Sequence, residues 1–163
     1  MPVNPEMLEH TTHTFSTVLT PVQAALFLVL LLLVSIHDVI ERNIPDSLQI
    51  MIASLILLQF SFRNLLGIMV AMPYLLVAMF GKQTDGIGGG DVKLAGSTGI
   101  VLGLPAALTA SMIGLTGFVL YGFGVQRYRK YKGEVVKTPF PVGPFLALGS
   151  AIAYFMKIGG LIL

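Results

Sequence analysis

Two of the eight acidic residues in this chain stand against apolar sequence, Asp38 at the end of the run from Val22 to Ile40 and Asp91 just before the run from Val92. Ionisable groups at such depth are costly and by default mark a function. Two carboxyl groups brought together can share a proton, one acting as base on a water while the other polarises a carbonyl. That is aspartic protease chemistry, and it needs no metal, no cofactor and no Cys or Ser nucleophile. The chain has no cysteine, which excludes disulfides, thiolate zinc sites and a Cys nucleophile, and its three histidines form no cluster in sequence. His37 adjoins Asp38, but neighbouring helical residues point in different directions, so no catalytic role is assigned to it.

Asp91 closes a glycine-rich stretch, Gly86-Ile87-Gly88-Gly89-Gly90-Asp91-Val92-Lys93. Glycines allow close backbone approach, so Gly88, Gly89, Gly90 and Lys93 are read as catalytic-loop residues that bring Asp91 near Asp38. The stretch lacks the Lys-Ser/Thr ending of a phosphate-binding loop and follows no strand pattern, so nucleotide binding is not supported. Asp46 reads as a helix N-cap and Asp85 as a loop residue.

The elements that must hold these carboxylates are membrane helices. Apolar residues make up 55% of the 163 and charged residues only 11%, with a mean hydropathy of +0.84. Soluble domains carry about 25% charged residues. The pattern predicts an all-α, polytopic integral membrane protein with about six transmembrane helices. The spans run from Val22 to Ile40, Leu48 to Phe62 and Leu65 to Phe80, then two within Val92 to Gln126 broken near Gly103-Leu104-Pro105, and lastly Val142 to Leu163. Gly96, Gly99 and Gly103 are spaced for close helix packing. Residues 1–20 read as a polar extracytoplasmic segment and 21–163 as one transmembrane domain; without Lys or Arg at its start, the first span is expected to stay as a signal anchor.

Net charge is only +2, and its distribution is more informative. With the N-terminus outside, Arg42, Lys82, Lys93, Arg127, Arg129, Lys130, Lys132 and Lys137 fall on the cytoplasmic side and only Arg63 and Lys157 elsewhere. That orientation places Asp38, Asp46, Asp85 and Asp91 near the cytoplasmic face. The basic run from Arg127 to Lys132 is read as topology signal and contact with membrane lipids, not nucleic-acid binding.

Three motifs together carry a resemblance. Gly88-Gly89-Gly90-Asp91-Val92-Lys93-Leu94 resembles the GxGD signature of the type IV prepilin peptidases, membrane-embedded aspartic proteases. Asp38 with Arg42-Asn43-Ile44-Pro45-Asp46 resembles the family's first aspartate motif, and Pro141-Val142-Gly143-Pro144-Phe145-Leu146-Ala147 its late Pro-Phe-Gly-Pro-Phe-Leu-Ala segment. Asp46 stands where many members have Asn, and Val142 where the late segment has Phe.

The resemblance implies an endopeptidase of a bacterial cytoplasmic (inner) membrane that removes the basic leader of a prepilin or pseudopilin at the cytoplasmic face, with Asp38 and Asp91 catalytic. The paired-Cys domain of the bifunctional N-methyltransferase members has no counterpart in the sequence, so the likeness is to short, peptidase-only forms such as those of Flp pilus systems. A basic leader would be drawn to acidic side chains, which makes Glu41, Asp46, Asp85 and Glu134 candidate substrate contacts. Two readings compete: a presenilin-like GxGD protease, whose Pro-Ala-Leu motif is only approximated by Pro105-Ala106-Ala107-Leu108, and a proton-coupled transporter subunit. A non-catalytic assembly scaffold would leave the aspartates incidental.

Overall fold

The computed structural model describes residues 5–80, 88–132 and 141–162, with side chains from residue 20 onward. Six helical segments make up the described chain, and no strand occurs among the described residues. The first, α1 (Pro5–Glu41), is built on the Leu/Val run and continues through Pro21. It ends at Arg42, whose φ of 52° lies in the left-handed region, with the Arg42 N–H donating to the Asp38 carbonyl at 3.0 Å. Next comes α2 (Asp46–Gln59), after the extended Pro45; its last five residues tighten to a 3-10 helix.

Segment α3 (Phe62–Phe80) includes a 3-10 stretch at Leu66–Val70. It is followed by α4 (Gly89–Leu102) and α5 (Leu104–Lys132), separated by Gly103 at φ 78°, a conformation suited to glycine. Finally, α6 (Gly143–Ile158) starts with Pro144 in its first turn, where the missing N–H costs no helix bond.

The break foreseen near Gly103 is therefore present, and each segment expected to be apolar and helical is helical. Three are long and apolar enough to cross a membrane, at Thr20–Glu41, Phe62–Phe80 and Leu104–Lys132. Both α2 and α6 are shorter apolar helices. With 14 residues, α4 extends about 21 Å, less than the roughly 30 Å hydrocarbon core.

Side-chain contacts show that successive helices alternate in direction. The end of α1 meets the starts of α4 and α6, whereas Lys157 near the end of α6 reaches the end of α4. Backbone meets backbone where α3 crosses α4, at Gly67 and Gly99, and where α5 crosses α6, at Gly114 and Gly149. The core draws Phe27, Val34, Ile52, Leu94, Leu102 and Val142 from across the bundle, all under 2% exposed. Large apolar residues also cover the outside, with Leu32, Leu57 and Phe62 each more than 60% exposed. Such a surface suits lipid rather than water.

Candidate active site

Asp38 lies in the last turn of α1 and Asp91 in the first turn of α4, and both are buried, at 7% and 6% exposure. The two carboxyl groups are close enough for the charge of one to act on the other. The structure therefore brings the two sequence-derived aspartates together.

Each is held by one glycine N–H. Gly88 N–H donates to Asp91 Oδ2 at 2.9 Å, and Gly143 N–H donates to Asp38 Oδ2 at 2.9 Å. Asp91 is the third residue of α4, so its bond to Gly88 resembles half of a capping box. Asp38 receives its bond across 105 positions of sequence, at the start of α6. The amino ends of two helices thus point at the pair, and their dipoles favour negative charge there.

Around the aspartates, the first and second motifs are tied to each other. Gln49 on α2 is buried, and its Nε2 donates to the Gly90 carbonyl at 3.3 Å and to the Ile44 carbonyl at 3.5 Å. Lys93 Nζ donates to Asp46 Oδ1 at 2.7 Å on the exposed side. Asp46 therefore does not cap α2 as expected: Pro45 occupies the N-cap position, and no side-chain cap bond forms. The reason is geometric, since Asp46 is itself the first helical residue and its carboxylate turns toward Lys93.

Within the glycine stretch, Gly88 holds Asp91 through its N–H, and space differs from one glycine to the next. A Cβ on Gly89 would meet nothing within 4 Å, and one on Gly90 would make ordinary contact with Ile44. The glycine that closely approaches an aspartate is Gly143, where a Cβ would stand 2.5 Å from Asp38 Oδ2 and 2.9 Å from its Cγ. His37 contacts Glu41 one turn on, at 3.6 Å. Glu41 and Asp46 are both exposed, while Asp85 and Glu134 lie outside the described residues.

Sequence reasoning assigned no role to Gln49, to the Gly143 N–H or to Tyr74. Tyr74 on α3 is 3% exposed, with its hydroxyl near Ser111 of α5 and within electrostatic reach of Asp91.

Residues 25–123, more than half of the chain, match the family model described as the type IV leader peptidase family, and that match includes Asp38 and Asp91. The chain belongs to the type IV leader peptidase family. A prepilin leader peptidase/N-methyltransferase of Bacillus subtilis (strain 168) is 30% identical over 140 residues, 80% of this chain and 54% of that protein. The chain thus spans about half the length of this curated relative. No solved structure matches. Within this chain, Gly143 lies beyond the matched segment and holds Asp38 through its N–H.

Proposed function

We propose that this member of the type IV leader peptidase family is an aspartic endopeptidase that cuts the basic leader from a prepilin or pseudopilin at the cytoplasmic face of the membrane. The observation that carries the reading is the buried pair Asp38 and Asp91, coupled in charge and each anchored through Oδ2 to a glycine N–H. Anchoring one oxygen of each carboxyl group leaves Oδ1 for water and substrate.

In the working state the pair shares one proton. The ionised carboxylate takes a proton from water as its oxygen bonds to the scissile carbonyl carbon, while the protonated partner gives its proton to the carbonyl oxygen. Collapse of the tetrahedral intermediate breaks the C–N bond and sends a proton to the leaving amine. One shared proton then remains on the pair. The helix amino ends of α4 and α6 stabilise the charge that the pair carries throughout.

The cytoplasmic face is supported by the positive-inside distribution: Arg42 and Lys93 lie beside the aspartates, and α5 carries Arg127 to Lys132 in its final turns. Glu41 and Asp46 are exposed near the site, and a basic leader would compete with Lys93 for Asp46 and with His37 for Glu41. Reversing both charges is expected to raise KM for a prepilin with little loss of kcat; unchanged cleavage would remove them as leader contacts.

Incubating the purified protein with a prepilin and weighing the products tests the activity. A product beginning just before the apolar helix of the pilin is expected, and an intact substrate would overturn the proposal. Cleavage should also rise and fall between about pH 4 and about pH 9, the range in which coupled carboxyl pairs titrate. A flat profile would contradict a shared proton.

A further inference from the structure

The end of the bundle opposite the aspartates holds a cavity of about 360 Å³ lined by Arg63, Lys157, Ser61 and Asn64, with Leu66 and Leu102 among its apolar walls. Its distance from the active site follows from helix geometry. Leu102 is 11 residues along α4 from Asp91, about 16 Å at 1.5 Å per residue, and Lys157 is about 21 Å along α6 from Gly143.

Two cations face this cavity, and among the described residues no carboxylate lines it. Neither Arg63 nor Lys157 takes part in the pairs His37 with Glu41 or Lys93 with Asp46. Lys157 Nζ donates to the Leu102 carbonyl at 2.8 Å and the Val101 carbonyl at 3.4 Å, which fixes the ammonium at the rim with a further N–H to give. The first turn of α5, at Leu104 to Ala106, forms another wall. The backbone N–H groups of Leu104 and Ala106 have no partners within their own helix, so they add to the positive field of the two cations.

The surroundings separate a lipid from a soluble anion. Phe62 is 78% exposed and Leu161 76%, and Phe60, Leu66 and Ile158 are also exposed beside the cavity. Apolar and aromatic side chains around a cationic pocket at the end of a membrane bundle are placed for acyl chains and headgroups together. We propose that this cavity binds the phosphate headgroup of an anionic phospholipid in the leaflet opposite the active site, with Arg63 and Lys157 as its charged contacts. A bound lipid would join α3, the α4–α5 junction and α6 at that end.

The test uses purified protein in neutral detergent, titrated with phosphatidylglycerol, phosphatidylcholine or inorganic phosphate, with thermal stability and native mass spectrometry as readouts. Phosphatidylglycerol is expected to raise the melting temperature and remain bound, with phosphatidylcholine and inorganic phosphate having little effect. Arg63→Gln should weaken phosphatidylglycerol binding about tenfold, the loss of about 1.4 kcal/mol, while Arg63→Lys stays close to wild type. Lys157→Gln also removes a cap from α4, so Arg63 is the deciding position, with helix content checked by circular dichroism. Equal binding of the two lipids, full binding by Arg63→Gln, or equal protection by inorganic phosphate would each overturn the proposal.

Discussion

At the scale of single residues, the arrangement turns on a hydrogen atom at position 143. The Gly143 N–H holds Asp38 Oδ2, and the space that a Cβ would need there is filled by the same carboxyl group. Gly143→Ala is expected to push Asp38 out of place and lower kcat/KM for a prepilin at least about 100-fold, a loss typical of misplaced reacting groups, while far-ultraviolet circular dichroism stays helical. Gly89→Ala is the contrasting variant: a methyl there meets nothing, so cleavage should stay near wild type. These two variants separate a glycine that a methyl would crowd from one that it would not. The stretch advertises itself by composition, whereas a backbone N–H donating across 105 positions leaves no side-chain trace. Asp38 and Asp91 were legible for the opposite reason, since a carboxylate against an apolar run stands out.

Between elements, the two aspartate motifs are joined by Gln49 of α2, which satisfies the carbonyls of Ile44 and Gly90 together. Gln49→Leu leaves the buried Ile44 carbonyl and the half-buried Gly90 carbonyl without their side-chain donor and should cost about 1–3 kcal/mol, read as a lower melting temperature in detergent. An unchanged melting temperature would show that this bridge contributes nothing. The Lys93 to Asp46 pair joins the same elements but is exposed on both sides, and exposed pairs contribute about 0–1 kcal/mol. Helix existence was readable from apolar runs, and the α4–α5 break from Gly103 and Pro105. Lengths were less so: α1 continues far before Val22, to Pro5, because a polar helix attached to a long apolar one needs no hydrophobic pattern of its own. Likewise, Asp46 as N-cap rested on local preference, and Lys93 from another helix claimed the carboxylate instead.

For the whole molecule, alternating helices place the aspartates at one end and the pocket of Arg63 and Lys157 at the other. That polarity repeats the eight-to-two division of basic residues, which is the basis for putting the aspartate end in the cytoplasm. Reporter fusions after Lys132 should behave as cytoplasmic and fusions at Ser61 as external; the reverse pattern would invert the proposed orientation. The chain belongs to the type IV leader peptidase family, and under the proposed function Asp38 and Asp91, both buried at one end of the bundle, carry the reaction. The most direct measurement is single-turnover cleavage of a purified prepilin by wild type, Asp38→Asn and Asp91→Asn, each checked for helix content. Both variants are predicted to lose at least about 1,000-fold in rate, since removing either member of a unit disables the whole. Full cleavage by either one would contradict the aspartate pair.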